Sequence, residues 1–215
     1  MSFPPIAALL PALALSYLLG SIPCGLVLTR LAGLGDIRSI GSGSIGATNV
    51  LRTGSKLLAL LTVLGDVGKG LAAVLIVKAL WPAEPMLPAL AGLAAVLGHL
   101  FPIWLKFKGG KGVATALGVL LGFAWQVGLL AALIWFAVAV LSRYSSLAAL
   151  VATALTPAAM WYVAGAFDAG VVLAICVLIW IRHHENIRRL IRGEEPKIGR
   201  RGGSPPSPPQ DPASA

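Results

Sequence analysis

Charge is what this sequence has least of. Asp, Glu, Lys and Arg make up 12% of the 215 residues, where soluble globular domains carry roughly 25%. That is too little to cover a water-exposed surface. Cysteine is nearly missing: Cys24 and Cys176 each stand alone in an apolar stretch with no CxxC partner. They imply neither a disulfide framework nor a thiolate metal site and read as packing residues. Carboxylates number 8 and never cluster at ligand spacing, and His183 and His184 are adjacent rather than set as HExxH, so no metal site emerges. GxSxG is absent, which leaves a covalent serine intermediate unsupported. The Gly-rich FKGGKG stretch at 107–112 lacks the spacing of a Walker A loop and has no hydroxyl after its last lysine, which argues against a nucleotide-hydrolysing engine.

Apolar residues are abundant instead, at 57% of the chain, in windows that recur from Ile6 to Ile181. A bilayer core takes about 20 apolar residues per helix, fewer where a helix ends in a protein-lined cavity. Seven windows qualify: 6–28, 57–80, 86–105, 112–124, 126–141, 147–164 and 168–181. The first has no basic segment before it and no clean small-residue cleavage signal, so it reads as a retained span rather than a signal peptide. The net charge of +9 does not point to nucleic acid, because the basic residues lie in short blocks between apolar windows. Those blocks are Arg30 to Lys56, Lys106 to Lys111, Arg143, and Arg182 to Arg201. If all four face the cytoplasm, two crossings must separate Lys111 from Arg143, which forces a hairpin near Gly122 to Gln126. The expectation is an all-α polytopic membrane protein of seven transmembrane helices, amino terminus outside and carboxyl terminus cytoplasmic. Residues 1–198 form the membrane domain, and 199–215, rich in Pro, Gly and Ser, form a disordered cytoplasmic tail.

The chemistry concentrates in the basic loops. Residues 36–56, DIRSIGSGSIGATNVLRTGSK, place glycines at 41, 43, 46 and 54 beside Ser42, Ser44, Thr48, Asn49 and Arg52. Closely spaced glycines leave backbone amides uncovered, so such a loop can curl around an anion while hydroxyls and a guanidinium complete the donor set. The second loop repeats the pattern, with Gly109 and Gly110 before Lys111 at the predicted start of a helix, where free N–H groups favour a phosphate. Asp66 and Lys69, three apart inside an apolar window, share a helix face and must turn inward, as a structural ion pair or as substrate contacts. His99 is a further buried candidate. In the last block His183 and Asn186 share a helix face, suited to moving a proton and orienting a polar group. The same block also suits a basic amphipathic helix lying on anionic lipid. Together the loops describe a cationic, hydroxyl-rich basin at the mouth of an apolar bundle, in a membrane enzyme or a membrane transporter of a phosphate ester.

GSGSIGATNVLRT at 41–53, GDVGKG at 65–70, GHLFPIWLKFKGGKGVAT at 98–115, RYSSLA at 143–148 and HHENIRRLIRGEEPKI at 183–198 occur in this order among apolar spans. In this the chain resembles the PlsY family, the acyl-phosphate-dependent glycerol-3-phosphate acyltransferases of bacterial inner membranes. The resemblance covers about residues 15–198. It implies transfer of a fatty acyl group from acyl phosphate to the sn-1 hydroxyl of glycerol 3-phosphate, releasing lysophosphatidic acid and phosphate, by seven spans with a cytoplasmic active site. The expected partners are glycerol 3-phosphate, acyl phosphate and membrane lipids, with no cofactor. By motif, His183, Asn186, Ser146 and Lys111 are the expected catalytic residues, with Ser145 beside Ser146 in the RYxSL element. Ser42, Thr48, Asn49, Arg52, Gly109, Gly110 and Lys111 are the expected substrate-binding residues, and Asp66, Lys69, His99 and Glu195 are secondary candidates. The chain departs from the family's GSGNxGATN in having Ser44 where an asparagine is usual, shorter and without the amide pair.

Overall fold

The computed structural model describes residues 3–41 and 43–199, all of the regular structure among them helical. The expected tail, from residue 200 onward, lies outside that range. In chain order the helices are α1 (Ile6–Gly20), α2 (Cys24–Leu31), α3 (Ala47–Val50), α4 (Lys56–Leu80), α5 (Leu87–Leu100), α6 (Val113–Phe123), α7 (Trp125–Ser142), α8 (Ser145–Ala164), α9 (Ala166–Arg182) and α10 (His184–Ile191). Breaks fall where the chain cannot continue a helix cheaply. Pro23, which has no N–H to donate, stands between α1 and α2. Gly165, at φ 92, separates α8 from α9. Ser55 opens α4 by accepting a hydrogen bond from the Leu58 amide at 3.2 Å.

The 112–141 stretch is broken at Ala124, inside the expected Gly122 to Gln126 turn. The expected count of seven spanning helices is met only in part. Among the described residues five stretches are long and apolar enough to cross a bilayer: Ile6–Leu31, Lys56–Leu80, Leu87–Leu105, Trp125–Ser142 and Ser145–Ala164. A sixth arises if α9 and α10, bent by 62° at His183, count as one span. Helix α6 has 11 residues, about 16 Å at 1.5 Å per residue, half a hydrocarbon core. Its shortness has a physical reason. It packs against α4, α5 and α7, and Lys78 Nζ donates to the Gly122 and Phe123 carbonyls at its carboxyl end at 2.7 and 3.3 Å, so that end meets protein rather than lipid.

The bundle is inside out relative to a soluble protein. Leu141, Tyr162 and Phe136 are exposed on the outer surface, whereas Asp66, Lys69, His99, His183 and Asn186 are buried. With lipid outside, close backbone contact replaces apolar burial as the source of cohesion. Helices α4 and α6 cross at Gly70 and Gly118, where an added Cβ would stand 2.2 Å from the Thr115 carbonyl oxygen and 1.9 Å from that of Val67. Side chains of α4, α5, α6 and α9 then interlock around Val74, Val96, Leu100, Val119, Ile175 and Ile179. Because successive helices double back on one another, the segments 32–55, 101–112, 143–144 and 183–199 meet at one end. Contacts from Thr48 to Ser145, Lys111 to Asn186 and Ser146 to Glu195 tie them together.

Candidate active site

Lys111 leaves the chain two residues before α6, after which Gly112 caps the helix at φ 87. No side chain caps that end, so the first-turn N–H groups add a partial positive charge near the ammonium. The Lys111 Nζ donates to Asn186 Oδ1 at 2.5 Å. Asn186 in turn donates through Nδ2 to Glu195 Oε1 at 2.6 Å, and the Ser146 hydroxyl donates to the same oxygen at 2.7 Å. Arg189 Nε donates to Glu195 Oε2 at 2.7 Å. Glu195 therefore fixes the Asn186 amide with its carbonyl towards Lys111, and these donors hold its carboxyl below the usual carboxylate range although burial opposes them. Burial pushes the Lys111 ammonium down to about 8, partly offset by the Glu195 charge.

His183 sits at the bend between α9 and α10, 3% exposed. Its Nδ1 is 2.8 Å from the Ile179 carbonyl oxygen, and since a carbonyl only accepts, Nδ1 carries the proton and Nε2 keeps a lone pair. Burial, with the charges of Lys111 and Arg182 behind it, pushes the imidazole down to about 4. His183 is thus a neutral acceptor at pH 7.

The first loop wraps Arg52. Gly41, at φ 56, has no room for a Cβ, which would lie 2.1 Å from Arg52 Nη1 and 2.5 Å from Asn49 Oδ1. The Thr48–Ser145 contact holds this loop at the end that carries Lys111, and the Arg52 charge there adds to the lowering of the Lys111 ammonium. Asn49 serves the loop itself, donating through Nδ2 to the carbonyls of Ile37 at 2.7 Å and Ser44 at 2.8 Å. Ser44 accepts the Gly46 amide at 3.3 Å, a local turn that an asparagine would also form. Thr48 lies 3.5 Å from Ser145, while Ser146 faces Glu195, which separates the two adjacent serines by orientation. Ser42 lies outside the described residues.

One expectation is corrected, and one pair of alternatives is decided. Gly109 and Gly110 do not offer their amides to a ligand, because these donate at 3.1 Å to the carbonyls of Leu100 and His99. Asp66, Lys69 and His99 do not join Lys111 and form a separate buried cluster. The Lys69 ammonium is ion-paired with Asp66 Oδ1 at 2.8 Å and hydrogen-bonds to the Ile22 carbonyl at 2.7 Å and to His99 Nδ1 at 2.9 Å. The His99 ring backs onto Gly110, where a Cβ would be 2.2 Å from Nε2. Arg182, counted in the sequence only as a basic-block charge, contacts the second loop directly, and Arg189, read as a partner of Glu185, lies 3.9 Å from it and donates to Glu195.

Cations outnumbering carboxylates, a neutral imidazole and an oriented amide, gathered at one end of an apolar bundle, define a membrane protein with a cationic polar site. A family model described as glycerol-3-phosphate acyltransferase matches residues 10–193. A glycerol-3-phosphate acyltransferase of Caulobacter vibrioides is 59% identical over 199 residues, covering 90% of this chain and 89% of that protein. One of Agrobacterium fabrum is 57% identical over 196 residues, covering 91% and 95%. The crystal structure of PlsY (YgiH), an integral membrane glycerol 3-phosphate acyltransferase in its glycerol 3-phosphate form, superposes with a TM-score of 0.84 at 39% identity, covering 90% of this chain and 96% of that one. Its lysophosphatidic acid form gives 0.82 at 38%. The chain belongs to the glycerol-3-phosphate acyltransferase family and is a multi-pass membrane protein.

Proposed function

We propose that the protein transfers a fatty acyl group from acyl phosphate to the sn-1 hydroxyl of glycerol 3-phosphate, giving lysophosphatidic acid and inorganic phosphate. The observation that carries this reading is the chain of contacts from Lys111 through Asn186 to Glu195 and Ser146, beside the neutral His183. Lys111 and Arg52 hold the glycerol 3-phosphate phosphate, with Thr48 at the rim. Acyl phosphate enters from the lipid with its chain between helices and its phosphate over the same cations. The sn-1 oxygen attacks the acyl carbon, the bond to the phosphate oxygen breaks, and the hydroxyl proton leaves with the phosphate. His183 Nε2 accepts the hydroxyl hydrogen bond and aims the attacking oxygen. At about 4 the imidazole is a poorer proton sink than a phosphate whose second ionisation lies near 6. Asn186 orients the partners, and fixed cations that meet the growing charge on the leaving phosphate lower the barrier. An acyl phosphate is already activated, so this route requires neither metal nor acyl-enzyme.

The same reading places seven crossings, α6 included, with the site on the cytoplasmic face of a bacterial inner membrane and the amino terminus outside. The decisive assay supplies purified protein with palmitoyl phosphate and labelled glycerol 3-phosphate, with acyl-CoA and acyl-carrier protein as alternative donors. Lysophosphatidic acid formed only from the acyl phosphate supports the proposal. Uptake of glycerol 3-phosphate into sealed vesicles without acyl product replaces it with transport. Cysteines introduced at Lys106 and Glu84 and labelled with an impermeant maleimide in intact cells test the orientation, which requires Glu84 alone to react.

A further inference from the structure

Lys111 is only as well placed as the two glycines before it, and those glycines are gripped from both sides. Their amides are taken by Leu100 and His99, as described above, and their carbonyls by a single side chain. Arg182 donates through Nε to the Gly110 oxygen at 3.2 Å and through Nη2 to the Gly109 oxygen at 3.0 Å, and its guanidinium lies 5.7 Å over the Phe101 ring. The seating of the loop against the end of α5 depends on the bare glycines, since a Cβ on Gly109 would stand 2.1 Å from the His99 oxygen. Arg182 is the last residue of α9, directly before His183 and one turn before Asn186. A closed circuit results. It runs from the Lys111 ammonium to Asn186, back along the chain to Arg182, across its guanidinium to Gly110, and into Lys111.

We propose that Arg182 is a positioning residue of the acyl-transfer site, its guanidinium forked onto the Gly109 and Gly110 carbonyls to set where Lys111 stands relative to His183 and Asn186. This rests on the reading of Lys111 as a cation that holds the glycerol 3-phosphate phosphate. The fork does two things that a simple charge would not. It ties the root of Lys111 to the helix end bearing the other site residues, and it engages two carbonyl dipoles next to an anion-binding basin. A lysine at 182 would keep the charge but lack the rigid planar fork that reaches two successive carbonyls.

The test compares Arg182→Ala, Arg182→Lys and Lys111→Met with the parent enzyme in detergent, using palmitoyl phosphate and glycerol 3-phosphate and recording KM, kcat and thermal midpoint. Lys111→Met is expected to raise the KM for glycerol 3-phosphate. Arg182→Ala is expected to raise it by about tenfold or more, and Arg182→Lys by a smaller factor, since a small misplacement of a binding group costs up to about a hundredfold. Millimolar guanidinium is expected to lower the raised KM of Arg182→Ala several-fold, where the same concentration of methylammonium does not. A purely structural Arg182 predicts the reverse pattern, a lower midpoint and less active protein with the parent KM, and that result overturns the proposal. If Arg182→Ala does not accumulate, an unchanged KM in Arg182→Lys overturns it equally. An unchanged KM in Lys111→Met refutes the Lys111 reading itself, whereas a raised KM there with parent values in both Arg182 variants refutes only the role of Arg182.

Discussion

Glu195→Gln keeps the shape of the segment that closes the site and removes one negative charge from the surroundings of Lys111. In the native site burial holds the Lys111 ammonium at about 8 instead of 10.5, and Glu195 is the largest influence in the opposite direction. At that value about 90% of Lys111 is charged at pH 7 and about 10% at pH 9. Losing a neighbouring carboxylate disfavours the ammonium, and a nearby opposite charge is worth about one to three pKa units. A one-unit fall leaves Lys111 about half charged at pH 7, so glycerol 3-phosphate capture halves from this cause alone. The assay is kcat/KM for glycerol 3-phosphate from pH 5.5 to 9.5, which reports ionisations of the free enzyme and free substrate. The substrate's own second ionisation near 6 enters both enzymes equally. The parent is expected to lose activity above about pH 8, and Glu195→Gln at least one unit lower, with the two curves closest near pH 6. An alkaline limb that stays in place or moves up would refute the assignment of Lys111 as the titrating phosphate ligand supported by Glu195. A second consequence follows from geometry. The Gln carbonyl can still accept from Asn186 and Ser146, but its amide would face the Arg189 Nε donor. Arg189 is therefore released, at a cost of about 1 kcal/mol or less because it is partly exposed.

His183→Ala should lower kcat by up to about 10²-fold through misplacement of the attacking oxygen, while the parent shows no His183 ionisation between pH 5.5 and 8.5, since burial pushes the imidazole down to about 4. Unchanged rate and affinity across that range would remove the histidine from the mechanism. Gly110→Ala pushes a methyl into the His99 ring and should lower the thermal midpoint by the equivalent of about 1–3 kcal/mol and impair glycerol 3-phosphate binding. Gly68→Ala, in α4 with open space around it, should be neutral or stabilising by up to about 1 kcal/mol. Asp66→Asn leaves the Lys69 ammonium buried without its counter-ion and should destabilise by about 3–5 kcal/mol. Adding Lys69→Met should recover part of that loss in thermal unfolding, and purely additive losses would contradict the pairing.

The order of the helices is legible because each rests on an apolar run punctuated by Pro, Gly or a basic block, and the break at Ala124 falls where the length of the 112–141 run and charge sidedness together expect a turn. The length of α6 is not. A run of apolar residues records hydrophobicity, whereas the 11-residue helix reflects packing against α4, α5 and α7. At the site, His183 and Asn186 could be paired through helical spacing, and Lys111 through its place before a helix. The engaged amides of Gly109 and Gly110 were misread because a glycine shows only that an amide is uncovered by its own side chain. That the carbonyls of Leu100 and His99 lie opposite is a tertiary fact. Arg182 was hidden for a related reason, since an arginine at a helix end satisfies the positive-inside rule whether or not it touches anything. Glu195 was marked by motif, but nothing local indicated that Asn186, Ser146 and Arg189 would converge on it from two helices.

A carboxylate inside a basin proposed to hold two phosphates looks self-defeating, and the bonding pattern resolves the conflict. Glu195 Oε1 takes two donors and Oε2 takes the Arg189 guanidinium, so its charge is spent on neighbours rather than aimed at an incoming anion. Its remaining effect on the basin is through Lys111. Burying that lysine strengthens any bond it makes to phosphate, because the surrounding dielectric falls, but burial also drives the ammonium to lose the proton that makes it useful. The carboxylate, one amide away, opposes that loss and turns the Asn186 carbonyl to accept from Lys111 until phosphate arrives. Removing Glu195 should therefore weaken the binding of an anion, contrary to what the sign of its charge suggests. Simple electrostatic repulsion predicts that Glu195→Gln lowers the KM for glycerol 3-phosphate at pH 8, whereas support of a buried lysine predicts that it rises, so one measurement at that pH separates the two.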